Sequence, residues 1–215
     1  ASIMRGRGVL AQSPVPPQVE GFDPAFRSEM SRFDLAAAKA LLDLYGWIDR
    51  DGDGWRDQPD GRPLELQMAT QADQRSRALM ELWKKCMDAL GLRIVFSTAQ
   101  WPENLKASRA GKLMMWTVGL SATVPDAEGF LVLGYGPSAG QLNHARFQLP
   151  EFDRLFEAQK RLPDGAERRA LIHRMQQLFI AYMPYKVHLH NVWTDLWQPS
   201  VIGYHRNIFV RDYWK

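Results

Sequence analysis

The sequence, 215 residues long, lacks the features that mark several large classes of protein. It contains one cysteine, Cys86, so no disulfide can form within the chain, and we expect this residue to be a small buried hydrophobe on a helix. No apolar run approaches the length that a helix needs to cross a bilayer. No basic run is longer than Lys84-Lys85 or Arg168-Arg169, which argues against a nucleic-acid-binding surface.

Motifs that carry enzyme chemistry are also missing. The sequence has no nucleophile elbow, no HExxH zinc signature and no glycine-rich phosphate loop followed by Lys and Ser or Thr. We therefore expect that the protein is not an enzyme. The amino-terminal segment has no hydrophobic core of the kind found in signal peptides, so either a leader has been removed or the chain begins within a longer protein, and we expect the second.

The apolar residues that are present indicate alternating helices and strands. After a proline-rich, extended segment, the spacing predicts a helix from Asp34 to a stop at Gly46. Further helices are predicted at 72–90, 102–110, 150–162 and 166–183, and strands at 64–68, 92–97, 113–118, 185–190 and 192–197. Strands that alternate with helices imply an α/β fold, with a mixed or parallel sheet flanked by helices.

The segment DRDGDGWRDQPD has the oxygen spacing of a calcium-binding loop. Calcium takes roughly six to eight oxygen ligands, and such a loop also needs Gly at its sixth position, here Gly54. The final acid is Asp rather than Glu, and the predicted strand that follows excludes an EF-hand pair. The alternative is a polar turn whose carboxylates accept hydrogen bonds from its own amides. The predicted ligands are Asp49, Asp51, Asp53, Trp55 (through its carbonyl), Asp57 and Asp60.

The segment WTVGLSATVPDAEGFL joins a predicted strand to a helix through a polar turn. Open α/β sheets bind ligands where strands end in this way. We expect Trp116 to offer a stacking surface to a solute, Ser121 and Thr123 to offer neutral hydrogen bonds, and Thr117 to face the same cleft. Asp126 is expected to begin the next helix rather than to contact ligand.

His188 and His190 lie two residues apart on a predicted strand. Their side chains would share one face, so both rings could reach a metal ion. The alternative is an exposed strand face without a metal, because no Cys or Glu with ligand spacing stands nearby. A metal hydrolase built on these two residues is the most remote of the functions considered.

Five segments in order resemble family 5 of the extracellular solute-binding proteins, the dipeptide-, oligopeptide- and nickel-binding components of bacterial ABC importers. The first two are GRGVLAQSPVPPQVEGFDP and AAAKALLDLYGWIDRDGDG. The third is the turn that follows Trp116. The last two are ARFQLPEFDRLFEAQK and MPYKVHLHNVWTDLWQPSVIGYHRN.

The resemblance implies the C-terminal lobe of a two-lobed, periplasmic-binding-protein-like α/β fold. Residues 1–30 would be an extended crossover from a missing N-terminal lobe, 31–198 the lobe itself, and 199–215 a tail that returns towards the missing lobe. The implied partners are a small-molecule solute, an inner-membrane ABC permease and that missing lobe. The implied location is the periplasm, with hinge closure around the solute. No cofactor is required, and Ca²⁺ is an optional ligand.

The sequence departs from the peptide-binding members of the family at one position. In those members an Asp just after the strand pairs with the ammonium group of the peptide, whereas this chain has Thr123. A hydroxyl group supplies no charge for an ammonium ion. We therefore expect a solute that needs no such Asp. A calcium-dependent structural or adhesive module, which would not close around a ligand, is the rival interpretation.

Overall fold

The structure is a computed structural model that describes residues 3, 4, 6–121, 123–204, 206 and 209, and only the backbone of residue 30. Contacts divide the chain into two compact units: a helical unit, Ala1–Ser31 with Gly119–Lys215, and a sheet unit, Arg32–Val118. No helix of the described residues is long and apolar enough to span a membrane. The elements are β1 (Gly8–Leu10), α1 (Leu35–Leu44), β2 (Glu65–Thr70), α2 (Gln74–Asp88), β3 (Arg93–Thr98), α3 (Trp101–Arg109), β4 (Met115–Trp116), α4 (Glu128–Leu131), α5 (Pro150–Gln159), α6 (Ala166–Tyr182) and β5 (Leu189–Asn191).

The sheet unit contains a three-stranded parallel sheet in the order β3-β2-β4. Met68 of the central strand β2 is in register with Phe96 of β3 and with Met115 of β4. Helix α2 joins β2 to β3. Asp73 caps its amino-terminal end, because the Asp73 carboxylate accepts a hydrogen bond from the Ser76 amide at 2.9 Å. The βαβ connections predicted from the sequence are therefore present.

The two faces of this sheet differ in burial. Met68 and Ile94 are buried on one face, whereas the opposite face carries the exposed residues Gln67, Val95 and Ser97. Parallel sheets are usually covered on both faces. Among the described residues of the sheet unit, this second face is the more exposed one, although Ala69 on it is buried.

The helical unit is organised around α5 and α6, which pack on α4. Phe152 of α5 and Phe179 of α6 are fully buried, and their rings lie 6.5 Å apart between centroids. The apolar stripe predicted for α6 is buried at Ile172, Met175, Leu178 and Phe179. Tyr182, also assigned to that stripe, is 60% exposed because α6 ends there and Met183 adopts a left-handed φ of 45°.

Two glycines of the sequence GYG allow the chain to approach α5 closely. A Cβ atom at Gly134 would lie 2.7 Å from the Phe152 ring, and one at Gly136 would lie 2.7 Å from the Asp153 carboxylate. The Gly136 amide donates a hydrogen bond to that carboxylate at 2.7 Å. These glycines have a packing role, which explains their spacing without a phosphate ligand.

Two strand predictions are wrong in extent. Residues 113–118 form a strand only at Met115–Trp116, and 185–190 only at its end, where β5 pairs antiparallel with β1. Residues 192–197 form no strand: the Val192 amide donates to the Arg7 carbonyl at 3.1 Å, but the ladder of β1 and β5 goes no further, and the large apolar side chains of this segment are exposed. A short apolar run indicates burial poorly when no second strand lies beside it.

The predicted division at residues 30 and 198 refers to the lobes of a longer protein, and it stays a prediction beside the two contact-defined units. Much of the predicted tail, 199–215, falls on residues outside those that the structure describes.

Candidate functional site

The carboxyl ends of the three parallel strands lie at one edge of the sheet. We call this the carboxyl edge and define it as residues 70–72, 98–101 and 116–118. The chain passes from β2 to a neighbour on one side and then to a neighbour on the other, so the strand order reverses at β2. Ligands of open α/β sheets bind outside the carboxyl ends at such a reversal.

Two tryptophans stack at the carboxyl edge. The ring centroids of Trp101 and Trp116 lie 5.2 Å apart, with an angle of 28° between the ring planes. Trp116 is half-buried, and Trp101 keeps 37% of its surface exposed. Trp116 was predicted from the sequence and Trp101 was not. The signal was available, because Trp101 also stands where a strand passes into a helix.

Hydrogen bonds fix the edge beneath these rings. Glu103 accepts a hydrogen bond from the Gln100 amide at 3.1 Å, which starts α3 directly after β3. The buried side chain of Asn104 donates to the Thr70 carbonyl at 2.8 Å, and the Ala99 amide donates to the same oxygen at 3.1 Å. The ends of β2 and β3 are therefore held together, and the start of α3 carries Trp101 in a fixed place.

The four predicted ligand residues fall in both units. Trp116 and Thr117 lie at the carboxyl edge of the sheet unit, where Thr117 is exposed. Ser121 and Thr123 belong to the helical unit, and both are exposed. Their intervening residue, Ala122, is outside the described residues. The assignment of all four to one ligand wall stays a prediction.

Asp126 precedes α4 and accepts a hydrogen bond from the Glu128 amide at 2.7 Å. It also pairs with the buried Arg168 at 2.7 Å, and Arg168 contacts Asp164 at 2.8 Å. Burial opposes ionisation of Asp126, but the Arg168 hydrogen bonds and charge and the Glu128 amide outweigh it and lower the pKa of this carboxyl group. Asp126 therefore has a structural role inside the helical unit.

The acidic loop brings three of its carboxylates together. Oxygen atoms of Asp49, Asp51 and Asp57 lie within 4.8 Å of one another, and Asp57 is only 6% exposed. Asp49 accepts hydrogen bonds from the amides of Gly52 at 2.7 Å and Gly54 at 2.9 Å. Asp57 accepts one from the Arg50 amide at 3.0 Å.

The other predicted calcium ligands have different partners. Asp53 accepts hydrogen bonds from the Trp55 amide at 2.8 Å and from Arg93 at 3.3 Å. Asp60 pairs with Arg62 at 2.8 Å. Three carboxylates with the right spacing fit a cation, but they supply fewer than the roughly six oxygens that calcium needs, so the carbonyl of Trp55 and water would have to complete the shell.

His190 lies on β5, opposite Val9 of β1, and His188 lies just before β5. Burial lowers the pKa of both imidazoles, and the charge of Lys186 lowers that of His188 further. Within the described residues, neither histidine belongs to a group of three or more side chains that could hold a metal ion. The geometry therefore gives the hydrolase interpretation no support.

The helical unit also has an open aromatic cavity of about 370 Å³ that sequence reasoning missed. Trp193 and the Trp197–Tyr204 pair, with ring centroids 4.6 Å apart, line it. Asp195 within it accepts hydrogen bonds from Tyr204 at 2.5 Å and from Arg206. Its charge is thus already balanced by a neighbouring residue.

Residues 1–141 match the model of a family described as bacterial extracellular solute-binding proteins, family 5, middle. The chain belongs to this family. The match spans more than half of the chain and includes all three strands of the sheet unit. It confirms the resemblance to family 5 that the sequence segments indicated, and family 5 is a family of solute-binding proteins.

Relatives of this family 5 chain have several different names. It is 26% identical over 208 residues to Di/tripeptide-binding protein 2 of Pseudomonas aeruginosa and 25% identical over 213 residues to Heme-binding protein A of Haemophilus influenzae, covering 94% and 98% of this chain. The chain spans 37% of the length of each of these proteins.

Solved structures confirm the fold. The ABC transporter-associated periplasmic binding protein DppA from Helicobacter pylori, in complex with the peptide STSA, matches with a TM-score of 0.73 and 21% identity. That match covers 86% of this chain and 34% of DppA. The α/β class is thereby confirmed, and the predicted periplasmic location agrees with an extracellular family.

Proposed function

We propose that this chain is part of the substrate-binding component of a bacterial ABC importer. That protein captures a small solute in the periplasm and delivers it to a permease in the inner membrane. The observation that carries the proposal is the match to family 5 across the segment that contains the carboxyl edge. The protein binds its solute and releases it unchanged, and it is not an enzyme.

The relatives are more than twice as long as this chain, which supports a second lobe in the whole protein. In this proposal the carboxyl edge, with Trp116 and Thr117, forms part of one wall of the cleft, and Ser121 and Thr123 contribute hydrogen bonds. The N-terminal lobe forms the other wall. Closure about a hinge then buries the solute, and the closed form is the one that the permease receives.

The decisive experiment is ligand-induced closure of the longer protein that contains this chain. Small-angle X-ray scattering with and without solute should give a smaller radius of gyration in the bound state. Small molecules carried through purification, identified by mass spectrometry, supply the first candidates, and they can include peptides because one relative is a di/tripeptide-binding protein. A calcium-dependent structural module would bind no solute and would keep one shape.

The chain by itself should bind solute poorly. Binding sites bury most of the surface of a small ligand, and one wall leaves much of that surface in water. Calorimetry on the 215-residue chain, beside the longer protein, measures the difference. Equal affinities would contradict the assignment of the second wall to the missing lobe.

A further inference from the structure

We propose that the solute is an uncharged, hydroxyl-rich ring compound, that is, a sugar or short oligosaccharide, and that the exposed surface of Trp101, held in place by stacking on Trp116, binds one face of a sugar ring. This inference rests on the proposed function and names the class of solute. It is carried by three properties of the carboxyl edge: its charge, its polar groups and its aromatic surface.

The carboxyl edge lies within stretches that contain no ionisable side chain. Residues 66–72, 94–102 and 113–118 include no Asp, Glu, Lys, Arg or His. The adjoining acids, Asp73 and Glu103, are engaged at helix starts, where they accept hydrogen bonds from the Ser76 and Gln100 amides at 2.9 and 3.1 Å. A charged solute buried against this edge would lose hydration without gaining an opposite charge from the edge itself, which is costly.

The polar side chains at this edge are hydroxyl and amide groups. Thr98 and Thr117 are exposed, as is Gln100, and Gln71 is half-buried. Hydroxyl and amide groups can each donate and accept hydrogen bonds, as the hydroxyl groups of a sugar also do. Such groups can match a neutral polyol at several points without any group of fixed charge.

The tryptophan pair supplies the surface that a sugar ring needs. One face of a pyranose carries mainly C–H groups, and the flat, electron-rich face of Trp offers a large apolar contact to them. Stacking on Trp116 at 5.2 Å limits the movement of Trp101, so little side-chain freedom remains to be lost on binding. The hydrogen bonds of Asn104 and Ala99 to the Thr70 carbonyl hold the edge beneath this pair.

Other solutes fit this edge less well. A peptide with free ends carries an ammonium and a carboxylate group, and the three stretches of the edge contain neither an acid nor a base to pair with them. A porphyrin with carboxylate arms needs basic partners, which the three stretches of the edge do not contain. An aromatic peptide side chain could use the tryptophans, but it would leave the hydroxyl and amide groups without partners.

The test uses the longer protein that contains this chain, after removal of any copurified solute. Isothermal titration calorimetry and small-angle scattering are run with neutral oligosaccharides of two to six rings, di- to pentapeptides and hemin. A glucose disaccharide and the corresponding glucosamine disaccharide form a matched pair that differs in charge. We expect a neutral sugar to bind and to cause closure, the glucosamine form to bind more weakly, and added salt to leave the affinity of the neutral sugar unchanged.

Substitutions locate the site. Trp101→Ala should weaken sugar binding about tenfold or more, whereas Trp101→Phe should keep most of the affinity because a flat ring remains. Trp47→Ala is the matched control, since the Trp47 carbonyl accepts a hydrogen bond from Arg56, whose amide bonds to Gly91 before the amino end of β3, and loss of this ring should leave affinity unchanged. Circular dichroism and melting temperature check that each variant folds.

Each outcome separates the inference from the proposed function. Closure around a peptide or hemin, with no response to any neutral sugar, overturns the inference and leaves the receptor function intact. Sugar binding that Trp101→Ala does not weaken overturns the role of the tryptophan pair. If no solute binds and the shape never changes, both the inference and the receptor function are wrong.

Discussion

The helical unit and the sheet unit bury their apolar residues to different degrees. The helical unit has one aromatic core that includes Phe130, Phe152, Phe156 and Phe179. The sheet unit buries only small parts of its strands, and neither α1 nor α2 contains a buried residue. Segments that bind ligands or move are drawn from the less stable parts of proteins. The helical unit therefore has the larger apolar core and should contribute more to stability, whereas the sheet unit exposes more of its surface.

The largest expected effect comes from the core of the helical unit. Phe179→Ala removes a fully buried ring and should lower the free energy of unfolding by roughly 3–5 kcal/mol. Phe96→Ala in β3 is the matched change, and it should cost about 1–2 kcal/mol because Phe96 is only half-buried. Urea denaturation of both variants measures the difference. Equal losses would remove the contrast between the units.

A polar network inside the helical unit should give the next largest effect. Asp126→Asn breaks the pair with Arg168, whose side chain is 8% exposed. Removing one partner of a buried ion pair can cost several kcal/mol, but Asp164 still contacts Arg168 and Asp126 is partly exposed, so we expect about 2 kcal/mol.

This contribution should depend on pH. The pKa of Asp126 is lowered in the folded state, so its stabilising effect is present above the unfolded value of about 3.9 and is lost as the pH falls through the folded value. The difference between wild type and Asp126→Asn should therefore be constant near neutral pH and shrink in acid. A difference that stays the same down to strongly acidic pH would show that the ion pair is not its source.

The long helices and the parallel sheet could be predicted because their apolar residues repeat at the period of the element. The stripe in α6 and the alternation in β2 are examples. The short strands could not, because residues 113–118 and 192–197 are apolar runs without a decisive period, and only neighbouring strands determine whether they pair.

The candidate site was predicted in part for a related reason. Trp116 and Thr117 lie in an apolar run that leads into a polar turn, so the sequence marks them. Trp101 also stands between a predicted strand and a predicted helix, but its place beside Trp116 follows only when β3 and β4 are known to be parallel to β2, which brings two separate strand ends to one edge. The convergence of Asp49, Asp51 and Asp57 followed from loop spacing, whereas the pairing of Asp53 with Arg93 joins distant parts of the sequence.

Calcium should have a smaller effect, confined to the sheet unit. If Asp49, Asp51 and Asp57 hold Ca²⁺ as weakly as extracellular modules do, with a Kd of about 10⁻⁴ to 10⁻³ M, then about 1 mM calcium should stabilise the fold by roughly 0.4–1.4 kcal/mol. Thermal melts with calcium, magnesium and chelator measure this, and Asp51→Asn is the control. Identical midpoints across millimolar calcium would leave the loop as a turn held by its own amides.

The smallest effect should come from the exposed face of the sheet. Val95→Thr on β3 replaces one methyl group with a hydroxyl group at a position that is 37% exposed. Thr also favours strands, so the free energy of unfolding of this chain should change by no more than about 0.5 kcal/mol. The same change at a buried apolar position, Val15→Thr, leaves a hydroxyl group in an apolar core and should cost several times more. Urea denaturation of the two variants compares them. A loss above about 2 kcal/mol for Val95→Thr would mean that this face is covered in solution, and the contrast between a stabilising unit and a surface-presenting unit would fail at that face.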